Sequence, residues 1–151
     1  YLVTATEDNR FATFAIFRLA SDGGLTVVNA GHCPVLIRRR DGSVQHIESS
    51  GLPLGILGKA DYTAVSDHLE PGDLVLLYTD GLTEAEDPDE QEFGVDRVAQ
   101  VVADMDRPTA EDACSELLRI VEEFTCGRPL QDDATLLVVE RLEEGGDREN
   151  G

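Results

Sequence analysis

The chain has 151 residues, 41% of them hydrophobic, enough for one domain with a buried core. Its formal charge of −19, from 31 acidic against 12 basic side chains, argues against nucleic acid and anionic lipid surfaces as partners. Three cysteines with no CxxC pair rule against a disulfide scaffold and suit a reducing, cytoplasmic setting, and no apolar run approaches the ~20 residues of a membrane span.

Tyr1-Leu2-Val3-Thr4 has neither the basic flank nor the length of a signal peptide. Phe11 to Leu19, rich in aromatic and β-branched residues, reads as a strand. The turn Ser21-Asp22-Gly23-Gly24 then joins it to a second strand at Leu25 to Asn29, making a hairpin. Val35 to Arg40, Asp41-Gly42 and Val44 to Ile47 repeat the pattern, with Asp-Gly suited to a two-residue turn. Gly51-Leu52-Pro53-Leu54-Gly55 is punctuated too heavily to continue either period and reads as an ordered apolar loop. Tyr62 to Leu69, the turn Glu70-Pro71-Gly72-Asp73 and Leu74 to Thr79 are expected to form a third hairpin. After Gly81 comes an acidic loop, Glu84 to Glu92, and then helical periodicity in Val95, Val98, Val101, Val102 and Met105, ending before Pro108. A second helix starts from an N-cap at Thr109, carries Leu117, Ile120, Val121 and Phe124 inward, and stops at Gly127. Thr135 to Arg141 is the last strand, and residues 143–151 lack anything to bury and are expected to be a disordered acidic tail. Hairpins, two consecutive helices and a returning strand give an α+β fold with antiparallel sheet.

Several chemical motifs fail on inspection. Cys33 and Arg39 have the Cys-x5-Arg spacing of cysteine phosphatases, but Pro34 removes an amide donor and Val35-Leu36-Ile37 reads as a strand rather than a phosphate cradle. Gly58-Lys59 lacks the following Ser/Thr of a P-loop, and Asp87-Pro88-Asp89 lacks the glycine of a calcium loop. Arg38-Arg39-Arg40 is either a solvated hairpin end or a docking patch for an acidic partner. His32 stands at a strand end, where it either presents a general acid or, with Asn29, fixes the turn.

Asp80 closes the apolar run Leu74 to Tyr78, and Asp132 precedes the run Leu136 to Val139. Each alone is explained by a turn. As antiparallel neighbours, the end of the first run lies beside the start of the second, and both carboxylates meet at one sheet edge. Carboxylate oxygens in that position suit a hard cation, Mn²⁺ or Mg²⁺.

Six phrases occur in order: Asn29-Ala30-Gly31-His32 with Pro34, Gly51 to Gly55, Leu69 to Asp73, Tyr78-Thr79-Asp80-Gly81-Leu82-Thr83-Glu84-Ala85, Phe93-Gly94, and Asp132-Asp133-Ala134-Thr135. On these the chain resembles the metal-dependent serine/threonine phosphatases of the protein phosphatase 2C, or PPM, class. Within that class it resembles the bacterial branch of the sporulation stage II E phosphatase and the activators of stress sigma-factor pathways.

The resemblance implies an antiparallel β-sandwich flanked by helices in αββα layers. It implies two Mn²⁺ or Mg²⁺ ions at one edge and hydrolysis of phosphoserine or phosphothreonine by an activated water, without a phosphoenzyme. Carried over by position, Asp80 and Asp132 are metal ligands, Asp133 lies just outside the ligand shell, and Glu84 orients the nearby loop. The implied substrate is a phosphorylated regulatory protein such as an anti-sigma-factor antagonist, with a sensor or regulatory domain upstream. The family's early acidic metal-binding phrase is not matched, since Glu7-Asp8-Asn9 sits in the wrong context. Residues 1–142 are therefore expected to be a partial PPM domain, binding Mn²⁺ weakly and turning over little by themselves. The alternative is a non-catalytic phosphatase-like module that binds a regulatory partner.

Overall fold

The structure, a computed structural model, describes residues 11–57 and 59–143. Glu7-Asp8-Asn9 and residues 144–151 of the expected tail lie outside the described residues.

Among the described residues, seven strands form two antiparallel sheets. β1 (Phe14–Leu19), β2 (Gly24–Ala30) and β5 (Val65–His68) make a three-stranded sheet in the order β1-β2-β5. β3 (Val35–Arg38), β4 (Val44–Ile47), β6 (Leu74–Tyr78) and β7 (Leu136–Glu140) make a four-stranded sheet in the order β4-β3-β6-β7. The alternation in β1 sends Ala15, Phe17 and Leu19 inward, where they meet Leu25, Val27, Ile37, Leu69 and Val75 between the sheets. β3 and β6 have buried residues on both faces because the other side of their sheet is covered by helices. There Leu36, Leu74, Leu76 and Tyr78 pack against α1 (Asp80–Thr83), α2 (Gly94–Asp104) and α3 (Ala110–Phe124). The described residues thus supply three layers, β on β on α, of the expected sandwich. The outer face of the three-stranded sheet shows Phe14 and Ile16 to solvent.

The helices follow their apolar spacing. Val98 and Val102 are buried on α2, and Ala113, Leu117 and Val121 on α3. Thr109 caps α3 through a capping box with Asp112, satisfying backbone donors at both positions. Phe93 and Phe124 meet edge to face at 5.2 Å, with the Arg97 guanidinium 4.8 Å above the Phe124 ring.

The third hairpin is a correction. Glu70 to Asp73 does form a turn, closed by the Asp73 amide on the Glu70 carbonyl at 2.9 Å, but its two strands enter different sheets. β5 pairs with β2, and β6 pairs with β3 and β7. The burial patterns give the reason: β5 alternates along its length, whereas β6 is apolar almost throughout and needs cover on both faces. The helical turn α1, which begins at Asp80 and precedes the acidic loop, has no counterpart among the elements expected from sequence.

The run Arg38-Arg39-Arg40 divides into three roles. Arg38 is 2% exposed and donates to the Val102 and Met105 carbonyls, at 3.1 and 2.6 Å, at the C-terminal end of α2. Arg39 joins the two sheets, bonding Asp67 of β5 at 2.7 Å and Asp73 before β6 at 3.0 Å. Asp73 is buried and also accepts the Arg40 and Glu70 amides. Arg40 alone is largely solvated.

Partial burial works against the Asp67 charge, but the Arg39 guanidinium and the His68 amide outweigh it and hold this carboxyl below its usual range. A depressed folded-state value means that Asp67 adds stability above its unfolded value of about 3.9 and loses it as pH falls through the lower folded value. Asp67→Asn is therefore expected to flatten the acid limb of urea midpoint plotted against pH. An unchanged limb would show that Asp67 takes no part in it.

Candidate metal centre

The β6–β7 ladder runs from Leu74 opposite Glu140 to Tyr78 opposite Leu136. The end that carries Asp80 is thereby placed beside the start of the strand that Asp132 precedes, as the two apolar runs require. Thr79 extends the pairing past the last strand residue. Its amide donates to the Thr135 carbonyl at 3.0 Å, its hydroxyl donates to the Asp133 carbonyl at 3.0 Å, and the same oxygen accepts the Thr135 amide at 2.8 Å. Although Thr79 is the N-cap of α1, its side chain makes no cap bond and is spent on the 133–135 segment. Nothing in the spacing or chemistry of the sequence singles it out.

Gly81 makes the approach close. A Cβ there would lie 2.7 Å from the Asp133 carbonyl oxygen and 3.0 Å from that of Asp132. The glycine after Asp80 is thus read better as a contact between two chain segments than as a turn former.

Asp80 is exposed, with one carboxylate oxygen accepting the Gly81 amide at 3.0 Å. Its own carbonyl accepts the Glu84 amide at 2.8 Å and the Thr83 hydroxyl at 3.2 Å, which fixes the backbone carrying it. Asp132 is likewise exposed, with one oxygen on the Asp133 amide at 2.7 Å. The second oxygen of each carboxylate has no protein partner among the described residues. Asp133 and Glu84 enter this arrangement through backbone groups, while their carboxylates stay exposed.

The donor set is hard: carboxylate oxygen from two segments, with solvent on the open side. Burial, followed by the charges of Asp80 and Glu84, pushes the Cys33 thiol up. Such a pair fits Mg²⁺ or Mn²⁺ with water completing the shell, and does not fit a thiolate-preferring metal. Among the described residues no three His, Cys, Asp or Glu side chains are grouped to hold a metal ion.

The other candidates fall into place around this edge. Arg39 is held by the inter-sheet carboxylates at the far end of β3, so it forms no phosphate loop with Cys33. Asn29 is buried and fixes the turn, accepting the His32 amide at 2.9 Å and donating to the Cys33 carbonyl at 3.0 Å. The His32 ring lies 3.1 Å from the Thr13 hydroxyl. Gly31, in left-handed conformation, abuts the Pro53 ring, which packs the 29–34 turn on the 51–55 loop.

Two antiparallel sheets with helices on the outer face of one match the fold of phosphatase domains of the protein phosphatase 2C type. The phosphatase domain of the cell fate determinant SpoIIE from Bacillus subtilis, in crystals presoaked with Mn, superposes with a TM-score of 0.70. That likeness comes at 24% identity, over 89% of this chain and 58% of that one. The chain belongs to the Stage II sporulation protein E (SpoIIE) family, whose sequence profile matches residues 1–142. Protein IcfG of Synechocystis sp. is 33% identical over 146 residues, covering 91% of this chain. The phosphoserine phosphatase RsbU of Bacillus subtilis is 32% identical over 124 residues, covering 77% of it. The chain spans 22% and 34% of the lengths of these two relatives. No helix among the described residues is long and apolar enough to cross a membrane.

Proposed function

We propose that this chain forms part of a metal-dependent protein phosphatase that hydrolyses phosphoserine or phosphothreonine on a regulatory protein. Asp80 and Asp132 are its contribution to a Mn²⁺ or Mg²⁺ site. The observation that carries the reading is the β6–β7 register, which delivers both aspartates of the family phrases to one edge with a carboxylate oxygen of each left open. When bound, divalent ions supply Lewis-acid stabilisation of a phosphoryl group and a nucleophile at neutral pH. The chain's own residues bind and orient. Thr79 and Gly81 fix the separation of the two carboxylate-bearing segments. The kinship with RsbU, a phosphoserine phosphatase, supports phosphoserine as the group hydrolysed, and the family resemblance points to a protein of the anti-sigma-factor-antagonist kind as its carrier.

A second reading, a non-catalytic module that binds such a partner, is favoured by the lack of a third acidic ligand among the described residues. Two carboxylates alone form a sparse shell, so the 151-residue chain by itself is expected to bind Mn²⁺ weakly. The full-length protein decides between the two. Phosphate release from a phosphoserine peptide should be lost on chelation and restored by Mn²⁺. Well-folded, Mn²⁺-loaded full-length protein that releases no phosphate from peptide or phosphoprotein would overturn the enzyme reading.

A further inference from the structure

We propose that a cavity at the opposite end of the β6–β7 ladder, lined by Arg40, Arg107 and Arg141, is a binding site for a phosphate oxyanion, free or carried on a protein. The cavity has a volume of about 250 Å³ and lies between the β6 turn, the C-terminal end of β7 and the segment before α3. β6 is five residues long, which sets this end roughly 16 Å from the aspartate pair. At about 0.1 M salt that distance exceeds the Debye length of ~10 Å, so the carboxylates at the far edge hardly oppose an anion here.

Three arginines lining one cavity are conspicuous in a chain with 12 basic residues among 151. They differ in how far the fold occupies them. Arg141 is anchored: it donates to the Leu69 carbonyl, and its Nη1 lies 3.2 Å from the His68 ring. Arg40 meets Glu143 at a loose 3.6 Å, both side chains being more than half exposed. Arg107 has no side-chain hydrogen bond or ion pair among the described residues, and it is exposed. Its backbone is left-handed, with φ of 48°, a conformation that disfavours a side chain and recurs where a ligand group must be presented.

The two glutamates of the cavity set the charge of its ligand. Glu140 accepts the Ala110 amide at the start of α3 and stays with the protein. Glu143 only leans on Arg40 and stands where an incoming oxyanion would bind. With Glu143 displaced, Arg40 and Arg107, with the anchored Arg141 behind them, outweigh the one remaining carboxylate and leave a net positive lining suited to an oxyanion. Planar guanidinium forks suit its oxygens better than ammonium groups would.

The test is inorganic phosphate titrated by calorimetry into chelator-treated protein, with backbone amide shifts at Gly72 and Ala110 as the local readout. Binding should be saturable, should weaken about tenfold in Arg107→Ala and in Arg40→Ala, and should tighten in Glu143→Gln. It should persist in Asp80→Asn, which separates this site from the proposed metal centre. A phosphoserine peptide forms the second arm: tighter, variant-sensitive binding than free phosphate identifies a protein-borne phosphoryl group, and equal binding identifies the free ion. Affinity unchanged across Arg107→Ala, Arg40→Ala and Glu143→Gln, or binding abolished by Asp80→Asn, would overturn the proposal.

Discussion

Asparagine at Asp80 or at Asp132 is expected to lower Mn²⁺-dependent phosphate release of the full-length protein by at least about 10²-fold. Partners that merely orient a metal ligand are worth roughly 10–100-fold in affinity or activity, so loss of a direct anionic ligand should cost no less. Asparagine keeps the acceptor oxygen that receives the Gly81 amide from Asp80, or the Asp133 amide from Asp132, so the local backbone has no reason to move. The loss should therefore appear without a shift in urea midpoint and with a weaker Mn²⁺ titration. Combining the two changes should cost little more than either alone, because groups that act as a unit are not additive. Full activity in either single variant would remove that residue from the metal site.

Alanine at Gly81 is expected to damage stability and metal binding together. Its Cβ would fall 2.7 Å from the Asp133 carbonyl oxygen and 2.9 Å from the carbon bearing it, and these are backbone atoms that cannot rotate away. Either α1 or the 132–133 segment must retreat, and overpacking of this kind costs about 1–3 kcal/mol. A retreat also stretches the three hydrogen bonds of Thr79 to residues 133–135 and parts the two aspartates. Denaturant unfolding should show the lost stability, and Mn²⁺ titration the lost affinity. The contrast with Asp80→Asn is diagnostic, since that change removes a ligand from an intact frame. Wild-type stability in Gly81→Ala would show that the close approach is not maintained in solution.

Most of the fold was legible because local patterns were consistent with it. The alternation of β1, the Asp-Gly turn between β3 and β4, the valine spacing of α2 and the Thr109 cap of α3 each point to the element that forms. What failed was nonlocal. β5 and β6 are joined by a tight turn, which usually means a hairpin, and only the two-sided burial of β6 shows that the chain changes sheets there. Arg38 was unreadable for the same reason. A charged residue beside two others looks solvated until a helix arriving more than sixty positions later offers it carbonyl oxygens. Asp80 and Asp132 were legible as a pair because strand ends can be paired on paper. Thr79 and Gly81 were not, because their partners are backbone atoms, which leave no mark in sequence.

The pairing of Thr79 with Thr135 spans 56 positions of chain, and α2 and α3 lie wholly within that interval. Ribosomal synthesis therefore delivers Asp80 well before the strand that brings Asp132 beside it. A nascent polypeptide can form its early hairpins and both long helices from local contacts, but it cannot assemble the cation seat until β7 has emerged and closed this loop.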